Sequence, residues 1–173
     1  MSSVQATPTS SRKRIRQSLK RYEGGLEPTD RSLFEAFVEH TLARLRGPFL
    51  AQHHPKQVLT YLEAAFDFAR SRQQDTPHIE VRRGATKGAV TLVNMVDQPF
   101  IVDTIRLFLR NHDADYWGGF NLVFQAQRDA SGTLVAVGDG DGAVTESLVL
   151  LESDQGALFD TGVDMADELL HNL

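Results

Sequence analysis

The chain has 173 residues, 41% of them hydrophobic and 24% charged, enough for one domain to bury a core without covalent staples. It contains no cysteine, which excludes a disulfide framework, a thiol nucleophile and any Cys-ligated zinc site. The formal net charge of −5 is uneven: Arg12, Lys13, Arg14, Arg16, Lys20 and Arg21 crowd the start, and no Lys or Arg follows Asp139. No apolar run approaches the roughly 18 residues of a membrane span, and no apolar signal core follows the basic residues, so a cytoplasmic protein is expected.

Residues 1–11, MSSVQATPTSS, are too poor in apolar surface to offset ordering entropy and are expected to be disordered. The basic stretch after them has two readings, a phosphate-contacting arm or a solvated amphipathic helix resting on an acidic neighbour. The scarcity of interleaved aromatics favours the second. Residues 1–29 are thus a disordered or basic helical tail.

Residues 30–75 read as a helical pair. Ser32 and Glu35 stand at capping-box spacing, with Asp30 as an alternative cap, before an apolar face of Phe34, Phe37, Val38, Leu42 and Leu45. Gly47-Pro48 breaks that pattern. Pro55 suits a first helical position and opens a second helix, in which Val58, Leu59, Leu62, Ala65, Phe66 and Ala69 recur every three to four residues.

From residue 76 to 173 the period changes. His78 to Arg82 alternates, Gly84 to Gly88 forms a hairpin connection, and Val90 to Val96 is apolar throughout, as a central strand covered on both faces requires. Pro99 then opens a helix with Ile101, Ile105 and Phe108 on one face. A long strand from Phe120 to Arg128, a Thr133 to Val137 continuation, a GDGDG loop, a strand from Thr145 to Glu152 and a helix within Leu158 to Leu170 complete the order. Strand, helix, strand, strand, helix is a ferredoxin-like pattern lacking its last strand. The Ile79 to Arg82 strand is expected at the vacant edge; an open edge also invites a second copy, so a homo-oligomer is expected.

The block Val96-Asp97-Gln98-Pro99-Phe100-Ile101-Val102-Asp103-Thr104 resembles a segment reading roughly Asp-Met-Pro-Phe-Leu-Val-Asp-Ser in the N-terminal region of the large bacterial NAD-specific glutamate dehydrogenases. Arg128-Asp129, followed by Gly132 and Leu134, and Glu146-Ser147 are similar to later motifs of that family. The resemblance spans roughly Phe34 to Leu151. It departs where the family carries His-Pro before Arg-Asp, since Val123-Phe124-Gln125-Ala126 stands here. The resemblance implies an α+β class with a ferredoxin-like, ACT-type antiparallel sheet, helices on one face and the helical pair in front. It further implies a regulatory or assembly domain whose partners are other domains or subunits of one enzyme. NAD and glutamate oxidation would then belong to domains outside this chain. A stand-alone ACT-like metabolite sensor acting through a protein partner is the alternative, and a nucleic-acid role for the basic tail ranks third.

Candidate chemistry is sparse. There is no GxGxxG, no P-loop and no GxSxG elbow, so neither a catalytic residue nor a bound cofactor is expected in this chain. GDGDG placed in EF-hand register puts Val137 and Leu148 at required carboxylate positions, and the six histidines lack metal-site spacing, so no metal is expected. The Asp97 turn is the remaining place, because unpartnered amides at a helix start suit a carboxylate. By the resemblance, Asn94, Asp97, Gln98 and Asp103 are the candidate contacts for an amino-acid effector. The plainer readings are that Asp97 or Gln98 caps the helix, Asp103 pairs with Arg106 and Phe100 enters the core. Tyr116, Trp117 and Phe120 are expected to fold into the core around a bulge at Gly118-Gly119.

Overall fold

The computed structural model describes residues 8–73, 76–84, 88–159 and 164–173. Helices α1 (Pro8–Leu19), α2 (Arg31–Leu42), α3 (Gly47–Gln52) and α4 (Pro55–Ala69) precede strands β1 (His78–Arg83) and β2 (Ala89–Val96). Helix α5 (Ile101–Asn111), strands β3 (Tyr116–Arg128), β4 (Leu134–Val137) and β5 (Val144–Ser153), and the short helix α6 (Met165–Leu170) follow. The strands form one antiparallel sheet in the order β1-β2-β5-β3-β4. The edge beside β2 is taken by β1, in a register that opposes His78 to Asn94 and Arg83 to Ala89.

The continuous apolar character of β2 has its cause in two separate cores. On one face, Leu92, Leu148, Leu150, Leu122 and Phe124 pack against α1 to α4; on the other, Val93, Met95, Val149 and Leu151 pack against α5 and α6. As expected, α5 and α6 share one face; the N-terminal helices, to which no face was assigned, cover the opposite one. Strand residues that alternate toward both cores leave no polar face in β2 or β5.

The first core is knit by aromatic edges. Phe66 of α4 meets Phe34 and Phe37 of α2 at 5.4 and 5.5 Å between ring centres, and Phe37 reaches Phe124 of β3 at 5.6 Å. Each such buried ring contributes about 1.5–3 kcal/mol relative to exposure.

Beside the expected pair α2 and α4 stand α1, which realises the helical reading of the basic tail, and the unexpected short helix α3. The basic stretch, favoured as a solvated amphipathic helix, is helical but not merely solvated, because Ile15, Leu19 and the following Tyr22 are buried in the first core. Arg12 also donates to the carbonyls of Leu42, Ala43 and Leu45 just past α2, closing that helix end. Residues 8–11 are accordingly helical, while 1–7 lie outside the described residues. The Tyr22 hydroxyl donates to Glu63, and burial together with that carboxylate pushes its pKa up to about 12.

The expected capping box at Ser32 and Glu35 does not form. Asp30 is the residue before α2 and bonds no helix amide; Glu35 pairs with Arg31, and Asp30 pairs with Arg70. Helix α2 ends at Leu42, before Gly47-Pro48 is reached, and Gly47-Pro48 begins α3, since proline fits a first helical turn. Tyr116 and Trp117 are 41% and 57% exposed, and only Phe120 of that trio is core. The β3 register does shift between Tyr116 and Gly118, and that bulge turns Trp117 outward. The tip of the β1–β2 hairpin, 85–87, and residues 160–163 lie outside the described residues.

Candidate functional site

The strand end that carries the Asp97 turn sits over a buried polar cluster. Glu146 of β5 lies in an otherwise apolar stretch and is fully buried. A lone carboxylate there would be costly, so its four acceptor positions are filled. Oε1 accepts from Arg72 Nη2 and Arg128 Nε, each at 2.8 Å. Oε2 accepts from Arg128 Nη2 and Asn94 Nδ2, each at 2.9 Å. Burial by itself raises the carboxyl pKa, but the bonds from Arg128, Arg72 and Asn94, together with Arg128's charge, outweigh it and hold the pKa below the ordinary value.

Arg128 ties this carboxylate to the rest of the fold, donating to the carbonyls of Ala69 at the end of α4 and Gly132 in the β3–β4 turn, and to Asn94 Oδ1. The stretch after α4 reaches the same turn: the Arg72 amide donates to the Gly132 carbonyl at 3.1 Å, and Ser71 bridges to Thr133. Only glycine permits that approach. At Gly132, φ is +84° and an added Cβ would stand 2.1 Å from the Arg72 carbonyl oxygen.

The four residues singled out for effector contact divide in two. Asn94 is fully buried, its amide used by Glu146 and the Ser147 carbonyl, and it holds up the strand end from below. Asp97, Gln98 and Asp103 are exposed. The Asp97 amide donates to the Thr145 carbonyl at 2.9 Å and its carboxylate accepts from Ser147 Oγ, so it is anchored to β5 and caps nothing. Gln98 Nε2 donates to the Leu173 carbonyl at 3.1 Å. Asp103 makes no ion pair with Arg106 among the described residues, and that guanidinium lies over the Tyr116 ring at 4.7 Å.

Helix α5 starts two residues later than the Pro99 expected. Phe100 precedes it in the left-handed region, with φ of 70°, and no side chain caps the helix. The first-turn amides therefore point out at the turn without a side-chain acceptor. Phe100 is not core: its side chain is 76% exposed, because a left-handed backbone at a bulky residue swings the ring away from the sheet.

Sequence reasoning missed Arg72 entirely and quoted Glu146 and Arg128 only as parts of a resemblance. One signal was present: a glutamate followed by Ser147-Leu148-Val149-Leu150-Leu151 in a buried strand has to find cations. Two wider grooves lie elsewhere. One, of about 1160 Å³, runs between α1 and the start of α4 and is lined by Arg14, Lys20, Arg21 and Lys56. The other, of about 780 Å³, lies between α4 and the β1–β2 edge beside Tyr61, Trp117, Arg82 and Glu152.

A five-stranded antiparallel sheet with helices is consistent with an ACT-like fold. Residues 37–161 match the family described as the glutamate dehydrogenase ACT1 domain, and the chain belongs to that family. A glutamate dehydrogenase ACT domain is a regulatory, non-catalytic unit linked to a dehydrogenase. No curated protein and no solved structure matches the chain. Among the described residues, no helix is long and apolar enough to cross a membrane.

Proposed function

We propose that this domain serves a large bacterial NAD-specific glutamate dehydrogenase as an effector-binding and assembly module, the dinucleotide and the oxidation of glutamate belonging to domains outside the chain. In this reading β2-α5-β3-β5-α6 is a ferredoxin-like unit with β1 in the place of its fourth strand. The enzyme is a cytoplasmic homo-oligomer, and the domain's partners are its neighbouring domains or subunits.

The observation that carries the effector reading is the uncapped start of α5. A free amino acid places its carboxylate on the first-turn amides, where the helix dipole favours negative charge. Its ammonium meets Asp97 and Asp103, with the Gln98 amide between them. Asn94 acts from below, by fixing the end of β2 through Glu146. Thermal unfolding against a panel of amino acids and nucleotides tests this, because a ligand bound only by the folded state raises the melting temperature. The expected result is a shift with one amino acid that Asp97→Asn abolishes without altering the fold. A flat response across the panel at millimolar concentrations leaves assembly as the domain's role and overturns the effector reading.

A further inference from the structure

A second site stands beneath the turn. A cavity of about 100 Å³ opens beside the buried cluster and is lined by Arg72, Arg128, Glu146, Asp129, Val96 and Val144, with Ala126, Gly132 and Gly142 completing the wall. We infer that this cavity binds one small monovalent anion, either chloride or a carboxylate no larger than acetate.

The argument is a count of donors and charges. Glu146 is saturated, with two hydrogen bonds on each oxygen. Arg128 has a partner on each of its three nitrogens. Arg72 does not: its Nη2 reaches Glu146, its Nη1 makes only long contacts of 3.4 and 3.3 Å with the carbonyls of Gln73 and Thr76, and its Nε is buried without a partner. The Arg72 side chain is 4% exposed. Two guanidiniums face one carboxylate, which leaves a surplus positive charge at the residue that also has the spare donor, and that residue lines the cavity.

Among the described residues, Arg72 and Arg128 pair with no carboxylate other than Glu146. Asp129, at the rim, keeps its charge but is exposed, so water screens it, and its Oδ1 accepts from the Ser131 amide and hydroxyl and the Thr133 amide of its own turn. Asp97 is bonded to Ser147. Neither forms an ion pair with Arg72 or Arg128 among the described residues. The volume sets the class of ligand, since a water's share of liquid is about 30 Å³. The space accepts a halide, formate or acetate, and because its free donor is on Arg72 rather than at the start of α5, this site does not depend on the effector reading of the Asp97 turn.

The test replaces sodium gluconate, whose anion is too large to enter, by chloride, bromide, formate or acetate at constant ionic strength while the melting temperature is followed. A saturable rise of about 3–5 °C at tenfold excess over the dissociation constant is expected for the small anions, and Arg72→Gln is expected to abolish it. Should that variant not fold, wild-type crystals soaked in bromide decide the matter by an anomalous peak within hydrogen-bonding distance of Arg72 Nε. A peak that formate displaces assigns a carboxylate, and one that formate leaves assigns a halide; either supports the site. Identical melting in gluconate and in every small anion, or bromide peaks only elsewhere, overturns it.

Discussion

Replacing Glu146 by glutamine keeps its shape and removes its charge, leaving Arg72 and Arg128 buried with no counter-ion inside the fold. Glu146 takes four hydrogen bonds from three side chains, and the new amide nitrogen must face donors. Breaking a buried ion pair by removing one partner costs about 3–5 kcal/mol. For a chain of this size that lowers the melting temperature by roughly 6–20 °C. With a urea slope of about 2 kcal/mol per molar, the midpoint falls by roughly 1.5–2.5 M. Arg72→Met supplies the internal comparison. It leaves Glu146 with three of its four donors and removes the surplus charge, so its cost is about 1–2 kcal/mol. Equilibrium urea unfolding of both variants, read by far-ultraviolet circular dichroism, checks the order. A Glu146→Gln cost under about 1 kcal/mol, or an Arg72→Met cost equal to it, would refute the reasoning that the carboxylate is the centre of the cluster and Arg72 its over-supplied cation.

The same unfolding assay tests five further points. Gly119 has φ of +130° and an added Cβ would lie 2.0 Å from the Leu150 carbonyl oxygen, so Gly119→Ala should cost about 3 kcal/mol or more. Gly118 has open space around it, and Gly118→Ala should change stability by no more than about 0.5 kcal/mol. Arg12→Ala should cost about 1.5 kcal/mol by freeing the carbonyls past α2, and limited proteolysis should then cut α1 first. Glu146 also sets a pH dependence. Its folded pKa lies below the ordinary 4.5, so its contribution is fully present above that value and is lost as pH falls through the depressed folded pKa. The urea midpoint should decline as pH drops from about 5 to 3, with a shallower decline in Glu146→Gln. Phe100→Asn should stabilise the isolated domain by about 1 kcal/mol, because asparagine tolerates the left-handed region and caps helix starts, while little buried area is lost at a ring 76% exposed.

The sheet was legible because its strands differ in period. The alternation of β1, the unbroken apolar run of β2 and the length of β3 each follow from burial on one or two faces, and the pairing of β1 with β2 follows from a short connection. Helices α2 and α4 were legible from residues such as Phe34, Leu42, Val58 and Phe66, all fully buried. Helix α1 was legible as a helix but not as a buried one, because its few apolar residues, Ile15 and Leu19, are outnumbered by cations and its place is set by tertiary contacts such as Arg12 to the α2 end. The capping box failed for a related reason: Arg31 and Arg70 compete for Glu35 and Asp30, and that competition is invisible to local spacing. The buried cluster was least legible of all, since Arg72, Asn94, Arg128 and Glu146 come from four separate elements or connections. Phe100 was misplaced because its apolar character says nothing of a left-handed backbone.

The position of the cluster bears on how such a domain passes a signal. Glu146 touches β2 through Asn94, β3 through Arg128 and the segment after α4 through Arg72, while its neighbours Thr145 and Ser147 hold the Asp97 amide and carboxylate. A ligand that draws Asp97 away from Ser147 therefore pulls on β5 at the residue where the helical layer is fastened to the sheet. Coupling needs an element with two arrangements whose balance both ends bias. The bond of Arg128 to the Ala69 carbonyl is the candidate, because it joins the end of α4 directly to the Glu146 carboxylate and to nothing on the α5 face. Loosening it would shift α4 against the sheet, moving the Tyr61–Glu152 contact at the far end of β5, while α5 and α6 stayed on their own core. On the proposed effector reading, with the input at the Asp97 turn, the layer that moves would be the N-terminal one and the output would lie on the face of α1 to α4.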